Sequence, residues 1–599
     1  MSRVLVSKLD TVPPRVEHSN RSITDKWFGI LYALSYVGFL STGFFLVSKA
    51  KAPYSRNENG DRIISEHFTG AVQTCCDNFS GDSVNYHSCR YLEENQGNRR
   101  RLTSSNTTTL DGDEGIFDAF LEAPEIIIGI FLTAFATAIL WVVALRFFAK
   151  PIVILSELSK IGIAIAMGIY QEDTAAKVIF FLIAAGLAGY TYWAWKKIIF
   201  ASRMIAHSTI AMKENPAILG GSLVVKCLFA GNAALLVFFA SRMVNVVELD
   251  KEDCYFFSPV YVPRIGIYLG LSYLWTIALL DTVRLSIIAN IVGSWHFHPE
   301  NMPTFIVVFK NILPSFGTLS AASLVTTIAE KLCRMATERS FCDLMCLCVN
   351  PFSLLLCIFS SCLNGVVKML TKFCVILHVF TGNSTIPSAK SVYKILSRHF
   401  KGGFVTEVTS RSVLSLASYA FSVGLAMATW AWVDDRFNCN SFISADGTAE
   451  AYLILWILVM LFNVYFPVIG IYSMILLNQF LRRVARRQIE DGSTSVNHLW
   501  LPAMSGIFVG AICMMFFTFL SKIFLDTIDT LFLCFAIDKD NNVGMSNQEF
   551  AELVKEIPTY IEAEVISEDG DAETGKVDVV PVPMPSAPPV IAIVVGATK

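Results

Sequence analysis

Runs of about twenty apolar residues recur along this chain between Trp27 and Phe524, and few of them are broken by a charge. A helix of that length crosses the roughly 30 Å hydrocarbon core of a bilayer, and backbone polar groups are satisfied there only in a helix or a closed barrel. Composition agrees. Of 599 residues, 54% are hydrophobic and 16% charged, whereas about a quarter are charged in an ordinary soluble domain. Mean hydropathy is +0.53. A net charge of −3 gives no basic face for nucleic acid. The expected fold is all-α: a polytopic membrane bundle of about ten (10–11) transmembrane helices with a large extracytoplasmic loop after the first.

Residues 1–26 are polar and mildly basic, which suits a cytoplasmic N-terminal segment, and they contain no apolar run of the kind a cleavable signal peptide needs. Residues 27–48 form the first span and would act as an uncleaved anchor. Residues 49–123 are polar, with glycosylation sequons at Asn78 and Asn106 and cysteines at Cys75, Cys76 and Cys89. Together these predict a glycosylated extracellular loop stapled by disulfides. The transporter-like core, 124–535, reads as spans near 124–148, 152–170, 177–199, 218–241, 264–290, 304–328, 352–380, 412–433, 451–476 and 499–524. Arg146 and Lys150, and then Lys196, Lys197, Arg203 and Lys213, fall in loops on the cytoplasmic side, and the opposite loops are acidic (Glu172, Asp173, Glu248 to Asp253). The basic stretch from Ser384 to Gly403 also reads as a cytoplasmic loop. A block at Arg482, Arg483, Arg486 and Arg487 upsets strict alternation unless one weakly apolar segment is re-entrant. The tail, 536–599, is acidic and then rich in Pro, Val and Ala, which predicts partial disorder.

The middle span holds the most chemistry. Asp281 and Arg284 lie three residues apart on one apolar helix, hence on one side of it. Charged groups inside a membrane face a partner or a watery path. Asp281 is either the counter-charge for a cationic solute or one half of a local pair with Arg284. A quaternary ammonium has no N–H to donate, so its site must offer aromatic faces, each contributing roughly 0.5–2 kcal/mol. Tyr268, Tyr273 and Trp275 supply such faces on the same helix, and Tyr268, Trp275 and Asp281 step by seven and six residues, so that one broad stripe can hold them. The alternative for Trp275 is plain packing or lipid contact. In the next span Pro314, Gly317, Ser315, Ser320 and Ser323 suggest either a broken helix exposing carbonyls or ordinary close packing. Three metal readings are weak: Cys342, Cys346 and Cys348 without a matching second group, His296 and His298 with Glu300, and an EF-hand-like run from Asp538 to Glu549 with Val543 where the loop needs glycine. No metal site is assigned. No nucleophile elbow, phosphate loop or cofactor motif appears, so neither an enzyme nor a cofactor is expected.

Five stretches in order resemble choline transporter-like proteins. They are Leu274–Thr276 through Ser294–Phe297, Leu313–Ser320, the cysteine-rich stretch after it, Ile386–Lys390, and Asp529–Asp538. The long loop between the first two spans is a trait of that family as well. The chain departs from the pattern at Ile386, where a cysteine is usual, at charged Asp281 and Arg284, and in the extra apolar segment 451–476. The resemblance implies a multi-pass, most naturally plasma-membrane, carrier of choline, ethanolamine or a related small amine. It would work by alternating access without sodium, with both termini cytoplasmic. Membrane lipids would be its other contacts, and its oligomeric state is left open. The rivals are a membrane scaffold or receptor using the 49–123 loop, and a channel.

Overall fold

The computed structural model describes residues 23–50, 54–56, 62–64, 124–170, 174–249, 256–297, 305–345, 351–437 and 496–540. These are almost entirely helical. In chain order the helices are α1 (Lys26–Lys49), α2 (Pro124–Tyr170), α3 (Thr174–Glu214), α4 (Ala217–Met243), α5 (Tyr261–Phe297), α6 (Phe305–Met345), α7 (Pro351–Thr381), α8 (Thr385–Phe437) and α9 (Val496–Asp540). Two short antiparallel ladders complete the set: β1 (Tyr54–Arg56) with β2 (Arg62–Ile64) after α1, and β3 (Glu248–Leu249) with β4 (Phe256–Phe257) between α4 and α5. Eight helical segments among the described residues are long and apolar enough to cross a bilayer. The chain is therefore a multi-pass membrane protein. Asn78, Asn106, Cys75, Cys76, Cys89, the segment 451–476 and the loop 541–549 lie outside the described residues.

Several helices run further than the apolar pattern predicts. The expected second and third spans follow one another within α2 as two helical stretches that meet at a kink at Phe148 (φ −120°, ψ 21°), just ahead of Pro151. Lys196 to Lys213, read as a loop, continue α3. Their apolar and small residues, including Ala201, Met204, Ile205 and Ala211, are buried. The basic stretch from Ser384 is likewise helical from Thr385 onward. Nor is α6 broken at Pro314. A proline removes one backbone donor, and a packed neighbour can offset that loss in a membrane helix. Separately, the Pro314 carbonyl accepts the backbone N–H of Thr24 at 3.2 Å, which ties the segment before α1 to α6.

The centre of the bundle is α5. Its first half lies antiparallel to α1: the Tyr32 hydroxyl donates to Thr276 at 3.2 Å, Ser35 and Ser272 are 3.3 Å apart, and the Tyr268 hydroxyl donates to the Ser35 carbonyl at 2.8 Å. A side chain at Gly38 would collide with that tyrosine hydroxyl, so the close approach of α1 and α5 needs glycine there. The second half of α5, Arg284 to His296, is buried throughout. Against it α9 runs parallel in constant register. Arg284 meets Asp526 and His296 meets Asp538, each pair 242 residues apart in sequence.

Candidate functional site

Within this core, five ionisable side chains from three helices form a chain. Arg284 on α5 donates from Nη1 to Asp281 Oδ1 at 3.0 Å and from Nε to Asp526 Oδ2 on α9 at 3.1 Å. Lys372 on α7 contacts the other oxygen of Asp526 at 2.9 Å and also bonds Asp529. The local Asp281–Arg284 pair offered by the sequence therefore forms, but it is the outer end of a longer assembly. Asp526 is its hub, with one carboxylate oxygen for each cation. Burial of single charges is expensive, and pairing with full hydrogen bonding makes it tolerable.

Charge within the assembly is unevenly placed. Glu407 on α8 is buried and within electrostatic reach of Lys372 and Asp529. The interior thus holds three carboxylates (Asp526, Asp529, Glu407) around two cations (Arg284, Lys372). The compensating cations stand further out. Arg411 meets Glu407 at 2.6 Å with a side chain 56% exposed, and Lys522 approaches Asp281 only to 3.7 Å with a side chain 52% exposed. Buried carboxyl groups of the assembly thus outnumber its buried cations, and the balancing cations lie nearer the surface.

The residues nominated from sequence divide over two faces of α5. Trp275 is buried between α1 and α6. Its indole N–H donates to Ser323 Oγ at 3.0 Å and lies 3.4 Å from the Ser320 carbonyl, and its ring meets Tyr32 edge-on at 5.3 Å. Tyr268 faces α1 as well. Tyr273 packs on the cluster of Phe39, Leu46, Phe239, Val246, Val262 and Leu269. Asp281 turns away from these, toward α9. Six residues at 100° each carry it well round the helix from Trp275, so the single stripe holding Tyr268, Trp275 and Asp281 does not form. Asp281 instead borders a groove of about 280 Å³ between α4, α5 and α9.

A second polar knot joins two of the stretches singled out in the sequence. Asp25, just before α1, has left-handed backbone (φ 50°), and its Oδ2 accepts the Thr318 hydroxyl at 2.8 Å, the Thr385 N–H at 2.8 Å and the Thr385 hydroxyl at 2.7 Å. It thereby caps the N-terminus of α8, where a carboxylate is favoured by the unsatisfied N–H groups. Burial pushes the Asp25 carboxyl upward, but the bonds from Thr385 and Thr318 outweigh it and hold the group below the ordinary carboxylate range. Gly317 permits the contact: a Cβ there would fall on the backbone of Thr24 and Asp25.

His296 is committed to Asp538 at 2.8 Å, with the histidine fully buried. No cluster of metal-ligating side chains is found among the described residues. Lys372, Asp526 and Glu407 were not singled out in the sequence, although one signal for the first two was there. Lys372 and Asp526 are each an ionisable residue inside an apolar run, and the tripeptide Leu280–Thr282 recurs as Leu525–Thr527, the two aspartates meeting one arginine; Glu407, among Thr406, Thr409, Ser410 and Arg411, carries no such signal.

Comparison with known proteins adds the following. A profile of the family described as plasma-membrane choline transporter matches residues 178–481. Protein PNS1 of Cryptococcus neoformans is 24% identical over 349 residues, 53% of this chain and 60% of that protein. Protein PNS1 of Gibberella zeae is 20% identical over 346 residues, 54% of this chain and 62% of the relative. A CTL-like protein of Dictyostelium discoideum is 22% identical over 205 residues, 32% of this chain and 36% of the relative. The match to the fungal relatives thus covers about 60% of their length.

Proposed function

This chain belongs to the plasma-membrane choline transporter family, and from that premise we propose that it carries choline, or a related small amine, across the plasma membrane by sodium-independent alternating access. The observation that carries this reading is the buried group of carboxyls Asp526, Asp529 and Glu407 around Arg284 and Lys372. In this reading a cation entering the bundle meets those carboxyl groups.

The aromatic share of the site is Tyr268 and Trp275 with Tyr32, on the face of α5 turned to α1 and α6. In the conformation described, Trp275 and Tyr32 meet edge-on and Tyr268 bonds the Ser35 carbonyl, and the buried small side chains of α6 close the seam. Separation of α1 from α5 and α6 would bare the ring faces for a quaternary ammonium, each contact contributing roughly 0.5–2 kcal/mol. Asp281 and Tyr273 stand at the margins of this route. Asp281 is engaged by Arg284 and approached by Lys522, and Tyr273 is packed on α4.

The test is uptake of radiolabelled choline into proteoliposomes holding the purified full chain in sodium-free buffer. Saturable uptake, competed by unlabelled choline and lost in Asp529→Asn at unchanged protein incorporation, is the expected result. Linear flux that does not saturate, or no flux at all, overturns the reading.

A further inference from the structure

We infer that the groove beside Asp281 receives the headgroup phosphate of an acidic phospholipid, held by Lys226 and Lys522. Lys226, Arg284 and Lys522 all stand on its wall, with Asp281 as the one carboxylate. On the wall itself three cations thus face one carboxylate. Arg284 is spoken for by Asp281 and Asp526. Lys522 reaches Asp281 only at 3.7 Å. Among the described residues Lys226 has no carboxylate at ion-pair distance, and its Nζ rests 4.7 Å from the centre of the Phe229 ring and 5.9 Å from that of Phe519. Two ammonium groups thus converge on one opening with too little negative charge between them.

The level of the groove fits a headgroup. Tyr32 pairs with Thr276 and Ser35 with Ser272, so the antiparallel register sets Lys26, the first residue of α1, beside Thr282, next to Asp281. The groove therefore lies level with the start of the apolar run of α1, the depth at which phosphates sit. Trp27, 82% exposed, marks the same level as an interfacial aromatic. The opening is lateral: Met515 on its rim is exposed, as are Leu223 and Leu228 on the adjoining surface of α4, which suits acyl chains. Basic pockets between membrane helices at headgroup depth recognise acidic lipids by this combination of charge and apolar flank. A bare quaternary ammonium fits poorly, being repelled by the cations and finding the rings of Phe229 and Phe519 already attended by Lys226. Inorganic phosphate would satisfy the charge but leave Val225, Ile277, Leu280 and Met514 facing an unfilled apolar space.

This inference stands whether or not the chain carries choline, and its test has no transport readout. The purified full chain in detergent is titrated with dioctanoyl phosphatidic acid, dioctanoyl phosphatidylcholine or inorganic phosphate, and binding is followed by native mass spectrometry and by the shift in thermal midpoint. Phosphatidic acid is expected to bind saturably and to raise the midpoint, and phosphatidylcholine and phosphate to do so at least about tenfold more weakly. Lys226→Gln with Lys522→Gln should weaken phosphatidic acid by at least about tenfold, the loss of two charges at a lipid surface. Lys226→Arg with Lys522→Arg should keep binding, and Lys394→Gln on the exposed face of α8 should leave it unchanged. Should the double glutamine variant fold poorly, Lys522→Gln alone, at a half-exposed position, gives the same reading at a smaller loss. Equal binding of phosphatidylcholine, equal binding of inorganic phosphate, or full affinity in the glutamine variants each overturns the proposal.

Discussion

Replacing Asp526 by asparagine tests the central assembly with almost no change of shape. The carboxylate takes Arg284 Nε at 3.1 Å, Arg284 Nη2 at 3.0 Å and Lys372 Nζ at 2.9 Å. Its neutral replacement leaves two buried cations with one carboxylate each, Asp281 for Arg284 and Asp529 for Lys372. Removing one partner of a buried ion pair costs about 3–5 kcal/mol. Because each cation keeps a second partner, the lower end applies, about 3 kcal/mol, or roughly a hundredfold in the folding equilibrium. The same change at Asp281, whose side chain is 43% exposed, should cost no more than about 1 kcal/mol, since solvent already screens it. Two chemically identical substitutions on opposite sides of one arginine should therefore differ by about 2 kcal/mol. Denaturant titration of the protein in nanodiscs, followed by tryptophan fluorescence, measures both. Equal losses, or an Asp526→Asn protein as stable as the parent, would refute the view that Asp526 is the hub.

Three further outcomes are expected. Gly317→Ala should force the backbone of Thr24 and Asp25 off α6, costing about 1–3 kcal/mol, and hydrogen exchange at the Thr24 amide should accelerate. An unchanged rate there would count against the contact. Trp275→Phe removes the donor to Ser323 and Ser320 and should cost about 1 kcal/mol by denaturation; a neutral result would mean the indole bond adds nothing. The Asp25 carboxyl is held below its ordinary value, so its contribution is present above the unfolded value near about 3.9 and fades only as pH falls through the lower folded value. Asp25→Asn should thus be destabilising by a constant amount from pH 7 to pH 5 and converge with the parent below about pH 4. A difference that already disappears by pH 6 would sink that assignment.

The membrane helices were legible because hydrocarbon imposes a length and a composition on each of them. Their extensions were not. Residues 200–214 of α3 and 385–402 of α8 carry lysines, arginines and histidines that imitate a loop, and only the neighbouring helices show which of their faces is covered. Asp281 and Arg284 could be paired on paper because three residues fix their geometry. Asp526 and Lys372 could not: the separation of 242 residues between Arg284 and Asp526 becomes a contact only through the packing of α5 on α9. Trp275 was readable as an aromatic deep in a span, facing substrate, core or lipid, but its burial and its tie to Ser323 depend on which side of α6 approaches.

The shared register of α5 and α9 restrains how this bundle can rearrange. The two tethers, Arg284 to Asp526 and His296 to Asp538, stand twelve residues apart on each helix, about 18 Å along the axis. Two rungs so spaced fix both the slide and the splay of the rails they join. If one helix slipped by a turn, both bridges would part together, leaving three ionisable groups and an imidazole without these partners. The rails must therefore travel as one stiff beam, and whatever opens and shuts must be hung beside it, with α1 and its bent entry at Asp25 the natural swinging member.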